Sequence, residues 1–241
     1  MIYNGVDLSS VHPALSINQE IMPGAAPRDI TTVAGLDGDR FVGVSLKQDE
    51  YKVVVNIGCH DRQQAREVRE LLAAWACSSD KPAQLIPTYW PKRHYMGVCK
   101  EISPPEYKRG FATVTVSFAL PSAIAVDNLL SSASGDTGCS ISVTGSAPAR
   151  PRLTLKLRAA ASAVSLSIDG QERMRLIGTY AAGDTITIDY AQRLVQHNGT
   201  AAMTHIDYQR SRWRGCFPHG RHTIAADVAC DLRVEWRDEW L

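Results

Sequence analysis

Four groups of side chains in this sequence have the types and spacing that chemistry would require. Asp136-Thr137-Gly138 spells the triplet in which an aspartic protease seats a carboxylate on a buried turn, sharing a proton with a partner carboxylate. That arrangement wants an apolar strand leading in. Here Ser131-Ser132-Ala133-Ser134-Gly135 precedes it, so the triplet reads as a linker turn. Cys216, His219 and His222 recur every third residue and are metal-ligand types, but Pro218 and Gly220 bend the segment and no fourth ligand stands at a recognisable spacing. Cys59-His60-Asp61 places a thiol beside an imidazole, yet sequence neighbours on an extended chain point to opposite sides. A helix start is the better reading. Arg210, Arg212, Trp213 and Arg214 could grip a phosphate or stack on a sugar or base. The same two-residue spacing also describes a solvated strand face, or an interface. No nucleophile elbow, phosphate-binding glycine loop or His-Glu-x-x-His helix is present. Neither an enzyme nor a metal or other cofactor is expected.

The elements that must position such groups are mostly strands. The chain has 241 residues, 44% apolar and 21% charged, enough for one large core or two small ones. Its 26 basic side chains nearly balance 25 acidic ones, which removes a global electrostatic reason to bind nucleic acid or an anionic membrane. The longest apolar runs, such as residues 71–76, fall far short of a bilayer span, so no membrane insertion is expected. The first residues lack the basic and apolar regions of a secretion signal, and maturation in the cytosol is expected. With no Cys-x-x-Cys pair, the six cysteines read as reduced, mostly buried thiols.

Between Gly110 and Leu120 the even positions are apolar while Thr113, Thr115 and Ser117 are polar, the period of a half-buried strand. Val53, Val55 and Ile57 repeat it. Residues 41–46 precede them across the polar turn Lys47-Gln48-Asp49-Glu50, which suggests a hairpin between the two segments. Asn4-Gly5 and Asp37-Gly38 are further hairpin turns. One segment keeps a helical period: after Asp61, a capping residue with Gln64 three positions on, apolar residues fall at Ala65, Val68, Leu72 and Trp75. That helix should pack on the sheet through Val68, Leu72 and Trp75. Ser78-Ser79-Asp80-Lys81-Pro82 ends it.

From Pro121 to Pro151 the composition shifts to Ser, Gly, Ala and Pro, which places a domain boundary there and divides the chain into residues 1–136 and 137–241. Beyond it come short alternating segments at residues 153–157, 164–168, 185–189, 194–196, 222–226 and 232–236. Asp169-Gly170, Gly183-Asp184 and Asn198-Gly199 punctuate them. Regular spacing of this kind favours a β-sandwich of about 100 residues. The fold class is mainly β with one α-helix.

The order of these pieces resembles the phage distal tail protein family, the hub at the tip of long non-contractile tails. In the first half the resemblance rests on Gly5-Val6-Asp7-Leu8, Val33-Ala34-Gly35-Leu36-Asp37-Gly38, Leu71-Leu72-Ala73-Ala74-Trp75, Tyr95-Met96-Gly97-Val98 and Val116-Ser117-Phe118-Ala119-Leu120-Pro121. In the second half it rests on Gly145-Ser146-Ala147-Pro148-Ala149-Arg150-Pro151, Asp189, Asn198-Gly199, Ser211-Arg212-Trp213, Pro218-His219-Gly220 and Trp240-Leu241. His222 stands where the family often carries Asn. The resemblance implies an amino-terminal β-rich belt domain that closes into a homo-hexameric ring around an open channel, and a carboxy-terminal galectin-like β-sandwich. It implies a structural protein of the virion tail tip, assembled in the host cytoplasm. The ring would join the tail tube protein to a tail-associated tip or fibre protein, and the tape measure protein and then DNA would pass through the channel without specific binding.

For the oligomer interface, aromatic anchors are the residues to examine: Phe41, Tyr51, Tyr89 and Trp90 lie near expected loops or strand ends, where core packing is the other reading of each. Arg212, Trp213 and Arg214 are the corresponding candidates for a sugar or partner contact. A channel that passes DNA is expected to avoid clusters of Lys and Arg along its lumen. The competing reading is a carbohydrate-binding sandwich that adheres to a host surface through Trp213.

Overall fold

A computed structural model describes residues 1–23, 28–32, 39–44, 49–214 and 217–241, with side chains between 24 and 49 outside the description. It divides into two compact units, Met1–Val126 with Leu241, and Asp127–Trp240. No helix among the described residues is long and apolar enough to cross a membrane.

Unit 1 begins with β1 (Ile2–Tyr3) and β2 (Val6–Asp7), folded back on each other at Asn4-Gly5. Those two residues have φ of 49° and 80°, the left-handed pair that a two-residue hairpin needs and that Asn-Gly adopts most readily. The short helix α1 (Leu8–Val11), not anticipated from sequence, is capped by Asp7, whose carboxylate accepts the Ser9 N–H at 3.0 Å. Then come β3 (Leu15–Ile21), β4 (Arg28–Thr32), β5 (Asp39–Val44), β6 (Asp49–Gly58), α2 (Arg62–Ala76), β7 (Ala83–Ile86), β8 (Arg93–Ile102), β9 (Glu106–Lys108), β10 (Phe111–Leu120) and β11 (Ala125–Asp127).

The sheet runs β2-β1-β7-β8-β10-β6-β3, with β9 on the first residues of β10. β10 and β6 pair over their full ten residues, Phe111 opposite Gly58 through Leu120 opposite Asp49. The alternation read from sequence sets this register: Val114, Val116 and Phe118 on one strand and Tyr51, Val53, Val55 and Ile57 on the other are all fully buried. The hairpin expected between residues 41–46 and β6 does not form. Both edges of β6 are occupied, by β10 and β3, and β5 pairs with β4 instead. Val33 to Gly38, including the expected turn at Asp37-Gly38, lies outside the described residues.

α2 starts where the capping signal put it: the Gln64 N–H donates to Asp61 Oδ1 at 2.8 Å, and the Gln64 side chain accepts the His60 N–H at 2.9 Å. Ala65, Val68, Leu72 and Trp75 are its buried face. Trp75 stands edge-on to Phe118 at 6.1 Å and to Tyr3 at 5.8 Å, and its indole N–H donates to the Val6 carbonyl at 3.0 Å.

Unit 2 contains β12 (Ser131–Asp136), β13 (Gly138–Val143), β14 (Arg152–Leu157), β15 (Ala161–Ile168), β16 (Gln171–Tyr180), β17 (Thr185–Asp189), β18 (Leu194–His197), β19 (Thr200–Ala201), a 3-10 turn at Met203–His205, β20 (Gly220–Ala226), β21 (Cys230–Trp236) and β22 (Glu239–Trp240). Two sheets, β12-β21-β14-β17-β18-β19 and β13-β20-β15-β16, enclose one core that includes Leu153, Leu155, Ile186, Val234, Leu166, Met174 and Ile224. This is the sandwich expected from the strand spacing.

The linker turn expected at residues 131–138 is instead part of that sandwich, and the break between the units falls ten residues before the expected one. Ser131–Asp136 pairs residue for residue with β21, and Gly138–Val143 pairs with β20 in the other sheet. The chain therefore crosses between sheets at Asp136-Thr137-Gly138, with Thr137 at a φ of 56°. A Cβ on Gly135 would run into the Gly138 carbonyl oxygen. Small residues here serve a close backbone approach rather than a loose tether. The cysteines also differ from expectation: among the described residues Cys230 is buried, Cys59, Cys99 and Cys139 are half-buried, and Cys77 is exposed, all as free thiols.

Candidate functional site

On unit 1, the turn from β7 to β8 presents two of the aromatics singled out from sequence. Tyr89 is 68% exposed and Trp90 43%. Side chains that bury about 150–250 Å² when packed are costly to leave in water, which makes an exposed pair a surface of interest. The Arg93 N–H donates to the Trp90 carbonyl at 3.0 Å and closes the turn, and the Arg93 guanidinium sits 5.5 Å from the Trp90 ring centre. The turn is braced from below by Glu20 of β3. Its carboxylate accepts the Thr88 N–H at 3.2 Å and the Tyr51 hydroxyl at 2.6 Å. Burial first, and the Glu20 acceptor second, push the Tyr51 hydroxyl well above its usual pKa and keep it a donor.

Tyr51 packs in the core, the other of the two readings given to it. Its side chain is fully buried in the unit's own core, 5.9 Å from Tyr95, and has no surface to offer a neighbouring subunit. It acts on the exposed turn indirectly, through Glu20. Phe41 lies on β5 opposite Ile30, and its side chain is among those not described. Sequence reading missed Glu20, because its partner Thr88 is 68 residues away and an acidic residue late in a strand carries no local signal.

On unit 2, residues 207–214 are not the strand face that two-residue spacing suggested. They form an irregular segment lying along the outer edge of β16. The Asp207 N–H donates to the Arg175 carbonyl at 2.9 Å, the Arg212 N–H to the Arg173 carbonyl at 2.8 Å, and Ser211 Oγ accepts the Arg175 N–H at 3.0 Å. An edge strand whose backbone groups are covered in this way is closed to further pairing. Arg212 and Arg214 are exposed, whereas Trp213 is half-buried against the sandwich core and edge-on to Tyr190 at 5.5 Å. Arg210 pairs with Glu172 at 2.6 Å.

The remaining chemical groups are held by structural partners. His222 is buried, with Nδ1 2.7 Å from Asp169 Oδ2 and Nε2 2.7 Å from the Pro218 carbonyl. It ties the 169–170 turn to the segment before β20. His222, and then the Thr223 N–H, hold the Asp169 carboxyl below the usual carboxylate range. His219 Nδ1 lies 3.3 Å from the Gly145 carbonyl, and Cys216 lies outside the described residues. Asp136 is exposed and paired with Arg158, which also holds Asp231; this pairing lowers the Asp136 pKa. A second polar lock escaped sequence reading. Asp184 accepts from the Asn198 side chain at 2.9 Å and the Ala181 N–H at 2.8 Å, and stands 2.8 Å from His197 Nε2, which together bring its pKa down to about 2.

Two family models match the chain in order. Residues 6–120 match the phage tail protein RIFT-related domain, and residues 144–240 match the C-terminal domain of the siphovirus-type tail component. Among solved structures, the Dit protein of phage SPP1, described as a paradigm of the hub adsorption apparatus in phages infecting Gram-positive hosts, is similar over 100% of this chain and 98% of its own, at 16% identity and a TM-score of 0.80. A chain of the phage P2 baseplate in its activated conformation with Ca aligns over 93% of this chain and 90% of its own, at 8% identity and a TM-score of 0.42. No curated protein matches.

Proposed function

Because the chain belongs to the siphophage distal tail protein family, we propose that it is the ring-forming hub of a phage tail tip. The observation that carries the reading is that both halves match domains of phage tail proteins, in order, across nearly the whole chain. Unit 1 is the belt that closes into a homo-hexamer around a channel, and unit 2 is the galectin-like sandwich. One side of the ring meets the tail tube protein and the other a tip or fibre protein, while the tape measure protein and DNA pass through a lumen free of Lys and Arg clusters. The role is mechanical and uses no catalytic residue.

The physics of unit 1 supports this reading. Its sheet path ends at β2 and β3, where Val6 is 46% and Ile21 42% exposed, and its β7–β8 turn displays Tyr89 and Trp90. Sheet margins and aromatic turns of this kind gain when a head-to-tail contact repeats and closes on itself. The carbohydrate reading draws less support, because Trp213 packs on the sandwich core and on Tyr190.

The test is electron microscopy of the purified chain, alone and mixed with its cognate tube and tip proteins. The expected product is a sixfold annulus of six 26.4 kDa chains. Monomers or open filaments under both conditions would overturn the proposal.

A further inference from the structure

The chain carries two Asn-Gly pairs, Asn4-Gly5 in unit 1 and Asn198-Gly199 in unit 2. Their backbones match: both asparagines have a φ of 49° and both glycines a φ of 80°. Both turns are exposed, and no heavy atom lies within 4 Å of the place where a Cβ on either glycine would stand, so water reaches each peptide nitrogen from an open side. The asparagine side chains differ. Asn198 is clamped at both ends of its amide: Oδ1 accepts the Thr185 N–H at 2.8 Å, and Nδ2 donates to Asp184 Oδ1 at 2.9 Å. Asn4 reaches only Ser78, its Nδ2 lying 3.4 Å from Oγ and 3.5 Å from the carbonyl oxygen, and its Oδ1 accepts nothing among the described residues. The turn at Asn4 is also lightly anchored, between strands of two residues each, with β2 the end strand of its sheet.

We propose that Asn4 is a self-modification site, where the chain converts its own side-chain amide to a carboxylate with water as the only co-reactant, and that the clamp on Asn198 protects it from the same reaction. The Gly5 N–H gives its proton to hydroxide, and the nitrogen attacks Asn4 Cγ. A bond forms between Gly5 N and Cγ, the bond from Cγ to Nδ2 breaks, and Nδ2 leaves as ammonia with a proton from water. Water then opens the cyclic imide. Cleavage at Cγ restores the normal backbone with an aspartate, and cleavage at the Asn4 main-chain carbonyl leaves an isoaspartate, whose backbone runs through the side chain. The sum is asparagine plus water giving aspartate or isoaspartate plus ammonia, with no change of oxidation state. For Cγ to turn toward the Gly5 nitrogen, the side-chain amide must first swing free. Asn4 gives up only two long contacts to do so, whereas Asn198 must break two short hydrogen bonds. Conversion also reaches α2. Isoaspartate adds a methylene to the turn that sets Tyr3 opposite Val6, and the Val6 carbonyl accepts the Trp75 indole N–H. Either product puts a carboxylate beside Ser78, at the negative end of the helix.

The probe is water itself: the full chain is held at pH 8.5 and at pH 6, and its peptides are mapped over time by mass spectrometry with isoaspartyl methyltransferase labelling. The Asn4 peptide should gain aspartyl and isoaspartyl forms, faster at the higher pH because hydroxide takes the amide proton. Asn198 should convert at least about tenfold more slowly, since two hydrogen bonds must open first. In the converted chains, amide exchange at residues 3–7 should rise several-fold. Asp184→Ala should bring Asn198 toward the Asn4 rate and leave Asn4 unchanged. An unmodified Asn4, an Asn198 that converts as fast as Asn4, or an Asn198 rate indifferent to Asp184→Ala would overturn the proposal. The comparison of the two sites in the parent chain decides the matter even if the variant folds poorly. None of these outcomes depends on whether the chain assembles into a ring.

Discussion

The two units solve the problem of closing a β-sheet in different ways. Unit 2 covers one of its sheet edges with its own chain. Its tight turns carry their own polar locks, Asp169 with His222 and Asp184 with Asn198 and His197, and residues 207–212 cover the outer edge of β16. Unit 1 spends one carboxylate, Glu20, on bracing a turn whose aromatics remain in water, and leaves apolar side chains on both end strands of its sheet. On the proposed reading this contrast assigns the subunit contacts to unit 1 rather than to unit 2. Each prediction below either breaks that contrast or makes it more exact.

The largest effects come from the cores. Phe118 and Leu155 are fully buried, one in each unit. Each truncation to Ala should cost about 3–5 kcal/mol, by lost burial plus the cavity left behind. If the units are separate bodies, calorimetry will show Phe118→Ala lowering one transition and Leu155→Ala the other. A single transition that moves equally with both would dissolve the division.

Acid tests the polar locks. Asp169 and Asp184 both titrate below the ordinary carboxylate range when folded. The sign is that of a depressed pKa: their contribution is present above the unfolded value, about 3.9, and is lost as pH falls through the folded value, about 2 for Asp184. Denaturant titrations of the chain between pH 4.5 and 2 should show the unit 2 transition losing stability more steeply than unit 1, and Asp184→Asn should flatten that slope. His222→Ala removes a buried bridge between Asp169 and the Pro218 carbonyl and should cost about 1–3 kcal/mol at neutral pH.

What sequence made legible follows the same division between local and distant. The β6 and β10 alternation, the Asp61 cap with its apolar stripe, and the turns at Asn4-Gly5, Asp169-Gly170 and Asn198-Gly199 are encoded within a few residues, and the structure contains each of them. β16 escaped notice because two register shifts along its pairing with β15 break the two-residue rhythm. β12 was hidden by its Ser and Gly content, which its close crossover requires. The choice of β4 over β6 as the partner of β5 depends on which edges are already taken, and no local pattern records that. The same holds for the sites: Tyr89 and Trp90 could be named from residue type, but whether an aromatic faces water or core is decided by distant strands, as Tyr51 shows. His222 and Asp169 are 53 residues apart, and neither announces the other.

Glu20→Gln keeps the size of the side chain but removes the charge that accepts from Thr88 and Tyr51, and should cost unit 1 about 1 kcal/mol. The more telling readout is local: amide exchange at Thr88 and its neighbours should rise several-fold while the β10 amides stay protected. Uniform loss of protection across the unit would mean that Glu20 supports the core rather than the turn.

The smallest effect on the isolated chain is the one that bears most directly on assembly. Tyr89→Ser removes a side chain that is 68% exposed, so unfolding of the chain should change by no more than about 0.5 kcal/mol, and Trp90→Ser, at 43% exposure, should cost only slightly more. If the turn is an anchor between subunits, the same substitutions should weaken ring formation at least about tenfold, since a buried aromatic anchor contributes about 2 kcal/mol or more to an interface. The comparison is made by light scattering on chains mixed with tube and tip proteins. Equal assembly by parent and variants would remove the turn from the interface and leave the exposed margins at Val6 and Ile21 as the surfaces to test. A loss of monomer stability matching the loss of assembly would place the aromatics in unit 1's own packing, and the contrast between the two units would lose its clearest support.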